Sequence, residues 1–242
     1  MDILIPMAWR WKRFLSAWYT KPKPFLDVWW KTMIERAIES INIFWRVILI
    51  INAHDFKISQ EICNTISYLK ERYQWLITIN SDKKLEWPAK TALEARELLS
   101  LEKELIIAYC DQIMDWNSWD FLDKARFGNK DGIVTTYSNQ EDKNGFVICN
   151  WDNVEQLVHK KVVSHLATIW LYYWKRSDIF LEGADKMISR WITYNGEFYI
   201  WPIFNQNIED GYKIWYYHTW VHQVWNPKDY EQYVSVLKDK NI

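Results

Sequence analysis

Two histidines four residues apart, His218 and His222, have the most suggestive spacing in the chain. On a helix, residues i and i+4 share a face and can reach one metal ion. A zinc protease of the H-E-x-x-H type needs Glu after the first His, and Thr219 stands there. The local residues also favour a strand, where four residues span about 13 Å at ~3.3 Å each, too far for a shared metal. A strand still sets both imidazoles on one face with Tyr216 and Trp220, a surface suited to stacking on a sugar, a base or a peptide. Asp120 and Asp123, beside Asp115, Trp116 and Trp119, are the other candidates. Paired carboxylates can bind a divalent cation or act as acid and base, although acids at helix junctions usually cap or are solvated.

The remaining reactive residues carry weaker signals. His165 falls on an apolar helical stripe and reads as a hydrogen-bonded core histidine; His159 shares that helix. Ser164 beside His165 is no nucleophile–base pair, because adjacent helical side chains diverge. His54-Asp55 resembles a strand-end dyad but is only a dipeptide. Cys63, Cys110 and Cys149 stand too far apart for a zinc spacing, and an odd count without a secretory segment fits a reducing compartment. With 6 Gly in the chain, neither a dinucleotide fingerprint nor a P-loop appears, and there is no G-x-S-x-G elbow. No metal or cofactor is expected from these patterns.

The chain has 242 residues and a net charge of −1, which removes the usual electrostatic ground for a general nucleic-acid binder. Hydrophobic residues at 49% and charged ones at 25% exclude wholesale disorder. The 18 Trp are anomalous, because residues with AT-rich codons are otherwise abundant. Either an aromatic surface is under selection, or the source reads UGA as tryptophan.

These residues must be positioned by elements legible in the pattern. Residues 7–20 read as a cationic amphipathic arm with Met7, Trp11, Phe14, Leu15 and Trp18 on one face. Helical stripes follow over 26–53 and, capped by Ser59, over 59–76; Val47 to Ile51 would equally suit a buried strand. Pro88 opens a third helix to about Met114. Beyond Gly128, Ile133–Tyr137 and Phe146–Cys149 read as a hairpin, and Asp152 with Glu155 as the capping box of a helix over 152–174. Asn195-Gly196 predicts a type I′ turn, Tyr212–Trp225 a strand, and Asn226-Pro227 the start of a helix over 227–238. The predicted fold is α+β: a helical half, 1–127, then an antiparallel sheet half, 128–242, with one inserted and one C-terminal helix; the halves can be two layers of one domain.

The expected function is non-enzymatic: an interaction or assembly protein, such as a complex subunit, a viral structural or accessory protein, or an immunity-type binder. Exposed aromatics, among them Trp11, Trp18, Tyr216 and Trp220 with His218 and His222, would anchor a protein partner or a second copy. One alternative is an enzyme or ligand-binding protein with an aromatic and histidine-lined pocket in the C-terminal sheet. Another is a peripheral membrane protein held by residues 7–20. No signal peptide or membrane-spanning run is visible.

Overall fold

The first strand is short and wholly buried, because Ile3, Leu4 and Ile5 alternate into two separate cores. In this computed structural model, residues 1–8, 12–54, 59–83 and 87–240 are described. Along the chain come strand Asp2–Pro6 (β1), helix Lys12–Ser16 (α1), strands Asp27–Val28 (β2) and Lys31–Thr32 (β3), and helix Met33–Ile41 (α2). Strand Arg46–Asn52 (β4), helix Gln60–Arg72 (α3), strand Leu76–Ser81 (β5) and helix Pro88–Leu93 (α4) follow. Next are strands Leu105–Ile107 (β6) and Gln112–Asp115 (β7), helix Ser118–Phe127 (α5), and strands Gly132–Ser138 (β8), Gly145–Asn150 (β9), Asn153–His159 (β10) and Leu166–Trp174 (β11). The chain continues with helices Ser177–Ser189 (α6) and Ile203–Glu209 (α7), strands Ile214–His218 (β12) and Trp220–Gln223 (β13), and helix Pro227–Lys240 (α8).

Nine strands form one mixed sheet in the order β5-β4-β1-β6-β11-β8-β12-β10-β9. The first four are parallel, and β11 runs antiparallel to both β6 and β8. β9 also pairs with β11, so β11, β8, β12, β10 and β9 curl into a five-stranded, barrel-like closure. Alternate residues of the parallel strands enter opposite cores: Val47, Leu49 and Ile51 on one face, Ile48 and Ile50 on the other. Helices α2, α3 and α5 cover the first face, and α4, α6 and α7 the second. A third cluster around Phe14, Met33, Tyr233 and Leu237 seats α8 against α1 and α2.

Local chemistry sets several boundaries. Thr32 and Glu35 form a reciprocal capping box at α2, and Asn42 ends that helix in the left-handed region. Ser59 accepts from the Ile62 N–H and starts α3, as its position predicts. Asn117 caps α5 through the Trp119 and Asp120 N–H groups.

The predicted helical half is corrected by the sheet. Of 26–53, Met33–Ile41 forms a helix, and Val47 to Ile51 lie in a strand buried on both faces. The helix expected over 88–114 is a six-residue turn of helix followed by two strands. The helix over 152–174 is instead two strands, β10 and β11. β11 is almost continuously buried, so its dense apolar run satisfies a helical stripe and a two-faced strand equally. Ile133–Tyr137 and Phe146–Cys149 are strands, but they pair with other partners rather than with each other. Helices α6 and α7 were not expected. The Asn195-Gly196 turn is present, with φ of 53° and 75°, flanked by a single Tyr194–Glu197 bridge rather than long strands. Of the arm at 7–20, residues 9–11, including Trp11, lie outside the described residues; the helix is only Lys12–Ser16, and its Phe14 is buried in the third cluster. Among the described residues no helix is long and apolar enough to cross a membrane.

Candidate active site

From β1 the chain steps outward to β4 and then β5, whereas β6 lies on the opposite side of β1. Ligands of open α/β sheets bind outside the carboxyl ends of the strands at such a reversal. The segments leaving β1 and β6 meet there. Ala108 N–H donates to Leu4 O at 3.0 Å and Met7 N–H to Ile50 O at 3.0 Å, so both exits are held in register.

This reversal opens into a cleft of ≈ 1270 Å³. At its floor the Lys23 Nζ donates to Asp111 Oδ2 at 2.6 Å, and both side chains are almost fully buried. Lys23 begins a single 3-10 turn between Pro22 and Pro24, whose rings preset the backbone, and its ammonium lies 5.1 Å from the Phe14 ring centroid. Asp111 follows the buried run Leu105–Cys110, and its carbonyl accepts from the Val224 N–H at 2.9 Å. The other carboxylate oxygen, Asp111 Oδ1, is buried and has no hydrogen-bond partner among the described residues. A buried charged oxygen left open in this way calls for a missing cation or donor.

One wall is aromatic. Trp170 stacks on Trp225 with centroids 4.8 Å apart and planes at 16°, and Tyr109 leans on Trp170 at 5.1 Å. Such faces bind the flat surfaces of bases and sugars. The mouth carries Lys12, Arg13, Lys21 and Lys83, with Asn195, Glu197 and Tyr199 opposite. Burial, assisted by Glu197, pushes the Tyr199 phenol up, with Arg13 acting against the shift. Burial likewise pushes the Cys110 thiol up, leaving a neutral core residue rather than a nucleophile.

The residues singled out from sequence lie elsewhere. His218 is on β12 and His222 on β13, and among the described residues no group of three His, Cys, Asp or Glu could hold a metal. The His218 ring nitrogens lie 3.4 Å from Thr136 Oγ1 and 3.3 Å from Ser138 Oγ, and the His222 ring packs 5.0 Å from Tyr233. Tyr216 packs against the second core, and Trp220 is exposed beside Asp115 in the β13–β7 pair. Asp120 accepts from the Tyr217 hydroxyl at 2.8 Å and the Lys124 ammonium at 3.0 Å, which hold its carboxyl below the usual range. Asp123 is exposed on α5, and neither acid lines the cleft. Ser164 and His165 precede β11; His165 is exposed rather than a core histidine, and the Ser164 hydroxyl donates to Val147 O. Of the His54-Asp55 pair, His54 lines the cleft and Asp55 lies outside the described residues. Lys23 and Asp111 were missed. The available signal was an acid at the end of an apolar run, obscured by reading that run as helix.

Two histidines give a pH dependence. Burial lowers the His159 imidazole, with Lys160 adding to the shift, and burial lowers His218, with His165 adding to it. The unfolded chain takes up these protons near 6.5, the folded chain only at lower pH, so U binds more protons in that window. Stability is therefore full above about pH 6.5 and falls as pH drops through it toward the depressed folded values. Urea midpoints measured on either side should show this fall, and the double variant His159→Gln/His218→Asn should flatten it. An unchanged slope would exclude these two groups.

No protein-family model matches the chain, and no curated protein sequence matches it. Solved structures do. The chain is similar to a nucleoside-diphosphate-sugar pyrophosphorylase from Vibrio cholerae, with a TM-score of 0.78 and 20% identity over 97% of this chain and 100% of that one. It is also similar to a putative glucose-1-phosphate thymidylyltransferase from Bacillus anthracis, with a TM-score of 0.77 and 14% identity over 98% and 95% of the two chains. A third likeness is to apo UDP-glucose pyrophosphorylase, with a TM-score of 0.76 and 16% identity over 100% and 99%. These findings overturn the expectations of a non-enzymatic interaction or assembly protein and of a viral or accessory one. They favour the alternative of an enzyme or ligand-binding protein over the main expectation; the aromatic-lined cleft of this chain does not include His218, Trp220 or His222. The fold of this chain is the fold of those pyrophosphorylases and of that thymidylyltransferase.

Proposed function

We propose that the chain is a nucleotidyltransferase that joins a nucleoside triphosphate to a sugar phosphate. The observation that carries this reading is the buried Lys23–Asp111 pair, with one carboxylate oxygen open, at the floor of a large cleft in this fold. A phosphate oxygen of the sugar 1-phosphate would attack the α-phosphorus. The bond to the bridging oxygen would break, and pyrophosphate would leave with that electron pair. Lys23 would supply a fixed positive charge where negative charge develops. Lys12 and Arg13, exposed at the mouth, attract the triphosphate. Tyr109, Trp170 and Trp225 offer the base or the sugar a stacking surface.

Asp111 Oδ1 is placed to ligate a divalent cation. Among the described residues no three-ligand protein cage exists, so phosphate oxygens and water would complete its shell, as magnesium prefers. Bound there, a cation would neutralise phosphate charge.

The test is pyrophosphate release by protein purified from its own source, given each common nucleoside triphosphate with a panel of hexose 1-phosphates and magnesium. Release with a matched pair is expected. No release from any pair, together with no saturable nucleotide binding, would overturn the proposal. Trp225→Ala should then weaken binding about 10-fold or more, the loss of one stacking face at ~1–3 kcal/mol, read by calorimetric titration.

A further inference from the structure

Five tryptophans hold a backbone conformation that side chains of this size rarely adopt. Trp18, Trp29, Trp30, Trp151 and Trp191 have φ of 66°, 48°, 64°, 55° and 54°. The left-handed region is costly for any residue with a Cβ, and a bulky residue there is an outlier. Among the described residues, the other non-glycine positions with positive φ are three asparagines and Lys160, and asparagine tolerates the region through its short polar side chain.

Each of the five stands where a local motif calls for glycine. After α1, Tyr19 N–H donates to Phe14 O and Trp18 N–H to Leu15 O, both at 3.1 Å. These are the two bonds of a Schellman ending, with Trp18 at its left-handed position. After α6, Ile192 N–H donates to Met187 O and Trp191 N–H to Ile188 O, both at 3.0 Å, which places Trp191 in the same role. The chain contains its own control: after α7 the same two bonds, Tyr212 N–H to Asn207 O and Gly211 N–H to Ile208 O, both at 3.0 Å, are made around a glycine with φ of 87°.

The hairpins agree. Trp29 and Trp30 are the two loop residues between the paired Val28 and Lys31. Both have positive φ, as a type I′ turn requires, and such turns use Asn-Gly or Gly-Gly. Trp151 is the first of two loop residues between the paired Asn150 and Asn153, and Asp152 after it does not have positive φ. A type II′ turn has glycine at that first position. Packing offers four of them little in return: Trp18, Trp30, Trp151 and Trp191 are 91%, 88%, 89% and 67% exposed, whereas Trp29 packs partly buried on the third cluster. Composition points the same way. The chain has 18 Trp and 6 Gly, whereas average usage of about 7% glycine would give roughly 17.

We propose that positions 18, 29, 30, 151 and 191 are glycine in the protein made by its own source, because a reassigned UGA codon is decoded there as glycine. The buried tryptophans are not part of this assignment: Trp174 fills the core and donates a hydrogen bond through Nε1. The inference does not rest on the nucleotidyltransferase reading.

The experiment is peptide mass spectrometry on protein purified from its own source, set beside the coding DNA. Peptides covering the five positions should each be lighter than the written sequence by the difference between a tryptophan and a glycine residue, and the codons should be UGA. Tryptophan masses at these positions would overturn the proposal. A second measurement compares the written chain with its five-fold variant Trp18→Gly/Trp29→Gly/Trp30→Gly/Trp151→Gly/Trp191→Gly. Relief of the left-handed strain should raise Tm by about 2–4 °C per site. A lower Tm for the glycine form would also overturn the assignment.

Discussion

Asp111→Ala is expected to lower folding stability by about 3–5 kcal/mol, the usual result of removing one partner of a buried ion pair. Lys23, 2% exposed at the floor of the cleft, would lose the carboxylate to which its ammonium donates. The same substitution should reduce turnover by about 10²–10³ or more, the scale set by removing one preorganised charge-stabilising group. Stability loss alone could mimic loss of activity, so the deciding variant is the apolar pair Lys23→Met/Asp111→Leu. Replacing both ions by apolar groups of similar volume is often neutral or stabilising. That variant should therefore regain most of the urea midpoint while turnover stays lost. Recovery of both would mean that the pair only holds the loops together. Loss of neither in Asp111→Ala would remove the pair from any role.

Trp174→Ala is expected to have the largest effect on stability outside the cleft. Trp174 ends β11 with no exposure, stacks on Phe204 at 4.4 Å and 6°, and touches Phe180 at 5.1 Å. Its Nε1 donates to Asn207 Oδ1 at 3.0 Å, and Asn207 in turn donates to Ile179 O at 2.9 Å. One side chain thus joins the sheet to α6 and α7. Truncation to alanine removes about 3–5 kcal/mol in packing and cavity cost, and it leaves a buried amide oxygen without its donor. Trp174→Phe keeps much of the ring contact and should cost clearly less. Urea unfolding with an unchanged slope measures both. An alanine variant within about 1 kcal/mol of the parent would show that this junction can collapse and repack.

Local signals in the sequence located several parts of this fold. Ser59 as a cap, Asn195-Gly196 as a turn, and Pro227 as a helix start are decided by a side-chain oxygen, a positive φ and a fixed φ. Strand character at 133–137 and 146–149 was legible from β-branched and aromatic residues, but which strands they pair with was not. Residues 152–174 misled because β11, buried on both faces, loses its alternation, and a register shift between Val154 and Gln156 in β10 turns Val154 and Leu157, three residues apart, both inward. Val154, Leu157, Leu166, Ile169 and Tyr173 then fit a helical stripe as well as they fit β10 and β11.

The sequence by itself determined the caps and turns, the absence of a P-loop or dinucleotide fingerprint, and the odd balance of tryptophan against glycine. Only the tertiary structure decided the site. Lys23 and Asp111 are 88 residues apart, and neither has a neighbour in the chain that marks it. They meet because β6 pairs with β1 on the side opposite β4, which brings two strand exits to one edge. That adjacency is fixed by parallel pairing across long crossovers and by burial of both sheet faces, neither of which leaves a short-range pattern to read.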